Sequence, residues 1–502
     1  MKHLTHSYFP LLTRRSLLRG VIGVTAATAF PIGRGHTGEA LGSAGGKVIL
    51  SDTDLMELQK SVAGSVILPS SLEYDDARRL WNPAIDHHPA MIVKCTSLDD
   101  IHAALQFARS HNVLTAIRCG GHNYAGTGMA HGGVTIDISP YNGVEVDQSK
   151  KVAWVKGGSL LRDLDRATIP LGLATTAGVV SHTGVGGLAT GCGQGRLARK
   201  FGYTIDNNRG VDVITPDGRS VHADANENSD LYWGVRGGGG NFGIVTKFEL
   251  QLHELDPNVT SFSYTYPVAK AGDAFKVLFE LGDRVPNDMS LSAGVRTSAS
   301  GETTASFSGN HAGSPDSARK ILGPYLDKLG EPIRKRFNSI NYLMLQGIAD
   351  GSLLSERAIY YRSGFFNQVD DYVAEAVAEY ASKNTFPGAK IQFGHQAGKT
   401  SELASDATAY PHRDTLYQCT VDINWADPKD GPACRKYADD SWDVIGPMST
   451  GGFYVNLAIG PSDADVRRTY AGNYSRLVEV KNKYDPTNFL RLNVNIKPTG
   501  PT

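Results

Sequence analysis

The sequence is poor in cysteine, in long apolar runs and in excess charge, and each shortage argues against a class of protein. It has 5 cysteines among 502 residues, an odd number at irregular spacing that implies no disulfide framework. The formal net charge is −1, which gives no support for nucleic acid as a partner. No run reaches the ~20 apolar residues of a transmembrane helix, so no stable membrane insertion is expected. Neither C-x-x-C nor H-E-x-x-H occurs, and no metal site is predicted.

Glycine is in excess, with 56 copies, and the excess is clustered in 118–133, 172–195 and 234–243. Clustered glycine indicates that the backbone closely approaches a ligand. GVGGLA (184–189) and GGGNFG (238–243) both fit G-x-G-x-x-[GA], but neither lies at the first β-α turn of a doubly wound pattern. We therefore reject a nicotinamide-binding Rossmann domain. What remains is that bare backbone N–H groups can hold a pyrophosphate without that fold.

The first 40 residues have the pattern of a twin-arginine export signal. Arg14 and Arg15 precede the moderately apolar run VIGVTAATAF, and Ala27-Thr28-Ala29 is an A-x-A-type cleavage site. The twin-arginine machinery moves folded chains, whereas an ordinary secretory signal, the alternative, threads unfolded ones. We predict a periplasmic or extracellular protein that acquires any cofactor before export.

His122 is the one imidazole in RCGGHNYAGTG (118–128), where Gly120, Gly121 and Asn123 shield it poorly. Such a histidine can contact a ligand, act as a general base or be a covalent attachment point. The alternative is a turn histidine bonded to local backbone, and this stretch alone does not decide between them.

Several stretches, in order along the chain, resemble the berberine-bridge-enzyme-like oxidases of the vanillyl alcohol oxidase/p-cresol methylhydroxylase superfamily. RCGGHNYAG resembles the flavin-attachment loop R-x-G-G-H-x-Y-x-G, and 181–207 resembles the second flavin loop with its D-N pair. DLYWGVRGGGGNFGIVTKFEL (230–250) resembles the end of the FAD domain. YVN (454–456) and YDPTNFLRLNVNIKP (484–498) resemble the C-terminal signature. The resemblance covers about 65–498.

The resemblance implies an α+β fold. It consists of a two-subdomain PCMH-type FAD-binding domain and a substrate domain with an antiparallel sheet backed by helices. We place the export signal at 1–40, the FAD-binding domain at 50–255 and the substrate domain at 256–445. A C-terminal segment at 446–502 is predicted to return to the FAD domain.

The resemblance also implies FAD, joined through its 8α-methyl group to the side chain of His122. In this superfamily the link raises the redox potential of the flavin, while the protein supplies positioning and electrostatics. The residues implied to contact FAD come from both glycine loops, the adenine side and the C-terminus. They are Arg118, Gly120, Gly121, His122, Asn123, Gly126, Ser181, Gly184, Gly187, Gly191, Gly195, Ile244, Asn493 and Asn495.

The chain departs from the family pattern in the second glycine loop. Some members attach FAD a second time through the Cys of G-x-C-P-x-V-G, but here the stretch is GVVSHTG and Val180 takes that position. Cys192 lies twelve residues later and does not align. We therefore predict a single link through His122, with a displaced link through Cys192 as the rival. Thr183 stands near the position where the family controls oxygen access, usually with an aliphatic residue, and Gln194 replaces a frequent Tyr.

The sequence offers several candidates for the catalytic base. TLYQCTVDINW (415–425) alternates as a strand, with Gln418, Thr420 and Asp422 on one face. Gln418 and Thr420 align with base-type family positions, yet neither is a good general base. Asp422 is a candidate unless it is a solvent-exposed strand carboxylate, and Tyr454 of YVN is another, although its unperturbed pKa of ~10 requires help.

The function expected from these residues is a secreted FAD-linked oxidase. It would oxidise a C–OH or C–N substrate, either a sugar or oligosaccharide or a small aromatic or alkaloid compound, and reduce O2 to H2O2. A flavin dehydrogenase with another acceptor and a non-catalytic flavin-binding protein are the alternatives. A small-molecule substrate, O2 and the export machinery are the expected partners, and the sequence does not indicate an oligomeric state.

Overall fold

The computed structural model describes residues 38–282, 284–350 and 357–500. The predicted export signal lies outside the described residues except for its last three positions. Those positions belong to β1 (Gly38–Leu41), which pairs antiparallel with β2 (Lys47–Leu50). Cleavage after Ala29 would leave this strand pair in the mature chain.

We call the predicted FAD-binding domain, residues 50–255, the flavin-side region. A four-stranded sheet forms its first part. Ser97 caps the N-terminus of its longest helix, because its hydroxyl accepts a hydrogen bond from the backbone N–H of Asp100. In the sheet order β3-β4-β6-β5, β6 pairs in parallel with both β4 and β5. The elements are α1 (Asp52–Ser61), β3 (Ser65–Ile67), α2 (Tyr74–Arg78), β4 (Met91–Lys94), α3 (Leu98–Ser110), β5 (Thr115–Arg118) and β6 (Val134–Asp137).

A five-stranded antiparallel sheet of order β11-β10-β12-β8-β7 forms the second part. Asn208–Ile214 and Ser220–Asp224 form an antiparallel hairpin, and α4 is followed by a 3-10 turn, Ile169–Leu171, that ends at Gly172, whose φ is 70°. The elements are β7 (Val144–Asp147), β8 (Val152–Lys156), α4 (Leu161–Thr168), β9 (Leu173–Ala174), α5 (Val185–Gly191), α6 (Ala198–Phe201), β10 (Asn208–Ile214), β11 (Ser220–Asp224), α7 (Ser229–Val235), β12 (Ile244–Gln251) and β13 (His253–Glu254).

A seven-stranded antiparallel sheet, of order β17-β14-β16-β15-β19-β20-β18, follows in the chain. Its helices cover one face, which confirms the predicted antiparallel sheet with helices on one side. The elements are β14 (Asn258–Pro267), α8 (Ala271–Leu281), β15 (Met289–Thr297), β16 (Thr303–His311), α9 (Pro315–Leu329), β17 (Arg334–Asn341), α10 (Tyr342–Gly347), β18 (Ala358–Phe366), α11 (Asp371–Lys383), β19 (Ala389–His395), β20 (Tyr417–Trp425) and α12 (Gly431–Ile445).

The last helices, α13 (Asp463–Tyr470) and α14 (Tyr474–Tyr484), pack on the core of the five-stranded sheet. Lys481 is fully buried there and donates to Asp485 and to the backbone oxygens of Asn241 and Leu490. These bonds hold the C-terminal segment against the flavin-side region. In the described part of the chain, no helix is both long and apolar enough to cross a membrane.

Candidate active site

The two predicted flavin loops meet at a pair of glycines. Gly120 follows β5, and Gly184 immediately precedes α5. A Cβ atom added to Gly120 would clash with the backbone N of Gly184, and one added to Gly184 would clash with the N of Gly120 and the Sγ of Cys119. At this point glycine allows one loop to touch the other, which corrects the simpler expectation that the glycines only admit a ligand.

A cavity of about 490 Å³ lies between these loops and the seven-stranded sheet. Its size falls in the range of ligand pockets, roughly 300–1,000 Å³. Most of the residues predicted to bind FAD lie in its lining. They are Arg118, Gly120, Gly121, His122, Asn123, Gly184, Gly187, Gly191, Gly195, Ile244 and Asn493.

Three of the predicted contact residues are absent from this lining and have other local roles. Gly126 has a φ of 72° and sits against Ile85, where a Cβ would clash. Ser181 donates from its backbone N–H and its hydroxyl to Asp350. Asn495 has a buried Oδ1 without a hydrogen-bond partner among the described residues.

His122 lies in the cavity wall with its two ring nitrogens in different surroundings. Its Nε2 is 2.6 Å from Nδ1 of His182, and its Nδ1 is 3.4 Å from Oγ1 of Thr183. The ring stacks on Trp81 with centroids 5.0 Å apart. Burial lowers the pKa of His122 to about 3, with His182 adding to the effect. His122 is therefore a neutral imidazole at physiological pH, which is the form that can act as a nucleophile.

The two positions that concern a second link differ in placement. Val180 lies in the lining of the cavity and is 8% exposed. Cys192 is fully buried beside Tyr203 and Tyr410 and does not line the cavity. Burial raises the pKa of its thiol well above the usual range, so it is not a ready thiolate.

Tyr454 reaches the cavity with its phenolic oxygen held by two donors. The backbone N–H of Gln194 donates to it at 2.9 Å, and Nδ2 of Asn456 donates at 3.1 Å. Asn456 also donates to the backbone oxygen of Leu188 and fills the space beside Gly191. The YVN motif thus docks on the second glycine loop. Burial raises the pKa of Tyr454 well above its usual range, while the two donors oppose that rise.

The strand predicted over 415–425 is β20, and its faces are as predicted, with Gln418, Thr420 and Asp422 on the face away from the helices. None of the three lines the cavity. Gln418 pairs in register with Gly394, which does, and its Nε2 has no hydrogen-bond partner in the described part of the chain.

Asp422 is half-buried rather than fully exposed. Burial raises its pKa, and the charges of Lys390 and Arg296 oppose the rise. It pairs in register with Tyr361, and its charge raises the pKa of both Tyr361 and Tyr124. It therefore lies near the aromatic end of the site, not beside Tyr454.

Sequence reasoning missed an aromatic cluster and a second histidine. Trp81 stacks on Tyr124 with centroids 5.0 Å apart, and Tyr124 meets Tyr361 edge-on at 5.6 Å. Tyr124 lies in the flavin-attachment motif and His182 lies in GVVSHTG, so the sequence alone could have indicated both residues. Trp81 and Tyr361 carry no motif, and only the packing of α2 and the register of β18 place them.

Asp206 of the D-N pair serves a structural contact. Its two carboxylate oxygens accept from both terminal nitrogens of Arg413 at 2.8 Å, in a pair that is almost fully buried. The same carboxylate accepts from the backbone N–H of Tyr203. Asp206 is thus engaged by the protein itself and is not free to bind a ribose hydroxyl, as the acidic residue of a Rossmann domain does.

The residues that line the cavity fit a flavin dinucleotide. Backbone of two glycine loops forms one side, and a Cβ at Gly187 would meet nothing within 4 Å. Two buried nitrogens of its lining residues, Nε of Arg118 and Nε2 of Gln194, have no partner among the described residues. Exposed backbone N–H groups and unpaired polar atoms are what an elongated polar cofactor requires. The described residues contain no group of three or more His, Cys, Asp or Glu side chains that could hold a metal.

Comparison with known proteins also indicates an FAD-binding protein. The family model described as an FAD binding domain matches residues 89–224, and the one described as berberine and berberine like matches 454–497. The chain is 26% identical to (R)-6-hydroxynicotine oxidase of Paenarthrobacter nicotinovorans, over 88% of this chain and 98% of that one. It is 28% identical to chitooligosaccharide oxidase of Gibberella zeae, over 83% and 89%.

A solved structure shares the fold. It is a variant of the BBE-like 1 protein of Physcomitrella patens, which superposes with a TM-score of 0.81 at 24% identity and covers 88% of this chain and 99% of its own. This similarity confirms the α+β, PCMH-type architecture predicted from the sequence.

Proposed function

Because the chain belongs to the berberine-bridge-enzyme-like family of FAD-linked oxidases, we propose that it oxidises a C–OH or C–N bond of a small molecule with dioxygen as the acceptor. FAD, when bound, supplies the acceptor for a hydride from the substrate carbon and returns the electron pair to dioxygen as H2O2. The observation that carries the proposal is one cavity with His122 and Tyr454 both in its wall.

His122 is the proposed attachment residue for FAD, and the only one. Its neutral imidazole lies in the cavity wall, with Nδ1 free of any strong hydrogen bond among the described residues. Val180 provides no sulfur at the aligned position, and Cys192 is buried away from the cavity. The two glycine loops would hold the isoalloxazine and pyrophosphate, Ile244 the adenine side, and Asn493 would return to the ring.

Tyr454 is the proposed group that takes the O–H or N–H proton of the substrate. Tyr454 lines the cavity, and its oxygen accepts two N–H hydrogen bonds, which oppose the rise in its pKa caused by burial. Asp422 is the alternative base, but it lies outside the cavity lining and nearer Tyr361. The choice of Tyr454 therefore rests on position.

The substrate is proposed to be either a sugar or a small aromatic or alkaloid compound. The face of β19 and β20 directed away from the helices carries amide and hydroxyl groups, including Gln392, Gln418 and Thr420. Trp81 and Tyr124 supply aromatic surface, and Tyr124 contacts Tyr361 of the neighbouring strand β18. The two related oxidases, whose names refer to a hydroxynicotine and to chitooligosaccharides, cover the same two classes.

A dehydrogenase is the second candidate, because of Thr183. This hydroxyl stands 3.4 Å from Nδ1 of His122, at the position where the family usually has an aliphatic residue controlling oxygen access. A polar side chain there favours a different electron acceptor. Export through the twin-arginine pathway is also proposed, since a covalently attached cofactor is not lost on the way.

The test combines flavin retention with substrate oxidation. Acid-precipitated protein should keep its yellow colour, and His122→Ala should release it, while His131→Ala, which changes an exposed histidine, should not. Flavin bleaching by one of a panel of sugars, aromatic alcohols and cyclic amines, followed by oxygen consumption, would identify an oxidase. Bleaching with re-oxidation only by a dye acceptor would identify the dehydrogenase, and acid-stable flavin in His122→Ala would overturn the assigned link.

A further inference from the structure

A second histidine contacts the proposed attachment histidine. His182 lies in the loop before α5, and its Nδ1 is 2.6 Å from Nε2 of His122, with ring centroids 4.6 Å apart. This is a short hydrogen bond between two half-buried imidazoles, and burial lowers the pKa of both rings, which favours their neutral forms. One of the two nitrogens must donate and the other must accept.

The hydrogen bond decides which nitrogen of His122 can react. When Nδ1 of His182 accepts, the proton of His122 is on Nε2, and Nδ1 of His122 keeps its lone pair. That Nδ1 has only the hydroxyl of Thr183 nearby, at a weak 3.4 Å. The opposite arrangement would place the proton on the nitrogen that faces this weak contact and would remove the nucleophile.

A carboxylate stands beside the pair. Asp350 follows α10 and accepts from the backbone N–H of Ser181 at 2.9 Å and from its hydroxyl. Its negative charge raises the pKa of both His182 and His122, against the effect of burial, while the charge of Arg162 lowers the pKa of His182. A proton on His182 would thus be stabilised by Asp350, which belongs to the part of the chain that forms the seven-stranded sheet.

We propose that His182 is the positioning residue for covalent flavin attachment, accepting the Nε2 proton of His122 as Nδ1 of His122 bonds to the 8α carbon. This inference rests on the proposed function, because it presumes that FAD is linked through His122. It assigns His182 and Asp350 a role in forming the holoenzyme rather than in substrate turnover.

The chemistry balances with dioxygen as the oxidant. One C–H bond of the 8α-methyl group breaks and one C–N bond to Nδ1 of His122 forms. The methyl group and the imidazole each release one proton, the latter from Nε2 to His182. The electron pair left behind passes to dioxygen, which takes up two protons to give H2O2.

The experiment follows attachment of FAD to full-length protein produced in a flavin-starved host. The protein is mixed with FAD in air, and acid-stable flavin and the intact mass are measured over time. Wild type, His122→Ala, His182→Ala and His182→Asn are compared. Asn keeps an acceptor near the position of the histidine Nδ1. Reversible FAD binding, read as quenching of flavin fluorescence, reports whether the site remains formed.

We expect His182→Ala to bind FAD reversibly but to attach it about 10²–10⁴-fold more slowly, the usual range for losing a proton acceptor. Added imidazole should restore much of the rate, and His182→Asn should lie between Ala and wild type. A merely structural role would leave the slow variant insensitive to imidazole and to Asn, and that result overturns the inference, as does attachment to His182→Ala at the wild-type rate.

The controls separate this inference from the proposed link. Acid-stable flavin in wild type that is absent from His122→Ala keeps the histidyl link standing, whatever the His182 variants do. Wild-type protein that binds FAD only reversibly would overturn the link and the inference together.

Discussion

The two sides of the cavity are built from different parts of the chain. On the flavin side, residues 118–128 and 178–195 present backbone, with glycines placed where loop meets loop. On the opposite side, the extended strands β15 and β19 contribute Ser290, Leu291, Gly394 and His395, and side chains alternate in direction along such strands. A wall of backbone constrains the residue type at each position, whereas a wall of side chains constrains mainly the spacing.

The difference explains which side tolerates change. At Gly120 any side chain must displace the backbone of Gly184, and backbone does not move cheaply. At Gln418 or Thr420, on the strand next to Gly394 and Gln392, a different side chain leaves the backbone hydrogen bonds of the sheet intact. We expect the flavin side to fail abruptly on substitution and the sheet side to change gradually.

The largest effect should come from Gly120→Ala. The new Cβ would clash with the N and Cα atoms of Gly184, so we expect loss of about 3 kcal/mol or more of the free energy of unfolding, together with loss of bound flavin. Thermal unfolding and the flavin-to-protein absorbance ratio measure both. Gly187→Ala is the matched control, because its Cβ meets nothing within 4 Å, and it should fold with a near wild-type midpoint. Equal behaviour of the two variants would contradict the loop-contact argument.

The next effect in size is expected from Tyr454→Phe. Removing the phenolic oxygen should lower kcat about 10²–10⁴-fold while acid-stable flavin stays at the wild-type level. Because burial raises the pKa of Tyr454 well above its usual range, the wild-type rate should rise with pH as the phenol ionises. That rise should disappear in Tyr454→Phe, and steady-state rates between pH 6 and 10 measure it.

Asp422→Asn supplies the comparison from the sheet side. Asp422 is outside the cavity lining and lies across from Tyr361, so its change should alter KM more than kcat. A larger fall of kcat in Asp422→Asn than in Tyr454→Phe would transfer the role of base to Asp422 and would show that the sheet side also performs chemistry.

The sequence predicted the flavin side of the cavity better than the side formed by the sheet. The order of glycine loops located His122, Gly184 and most of the cavity lining, because their roles depend on neighbours close in sequence. The faces of β20 were predictable from alternation alone. Which residue stands opposite which was not, since the pairing of Asp422 with Tyr361 joins distant segments and depends on sheet register.

His182 shows that motifs can miss an important residue even on the flavin side of the cavity. It lies in a quoted motif, two residues from Val180, yet the family pattern has no requirement at that position. Its importance appears only when the loop before α5 folds against the loop after β5 and the two imidazoles come to 2.6 Å. Motif matching selects the fixed positions of a pattern and passes over its variable positions.

The smallest expected effect tests a contact that joins the two regions, between Asp165 on α4 and Gln346 on α10. Nε2 of Gln346 donates to Oδ2 of Asp165 at 3.2 Å and to the backbone oxygen of Gly178 at 2.9 Å. Burial raises the pKa of Asp165 to about 7, with the hydrogen bond from Gln346 opposing the rise. In the unfolded chain this carboxyl titrates near ~3.9, so folding holds a proton that the unfolded chain releases as pH increases from about 4 to about 7.

The stability of wild type should therefore fall across that interval and level off above it. Asp165→Asn keeps an acceptor for Gln346 but does not titrate, so its advantage over wild type should grow with pH and reach about 1–3 kcal/mol at pH 8. Urea unfolding of both proteins at pH 5 and pH 8 measures the difference. A constant difference between the two pH values would mean that Asp165 stays ionised in the fold, and that the contact between flavin side and sheet side carries a buried charge.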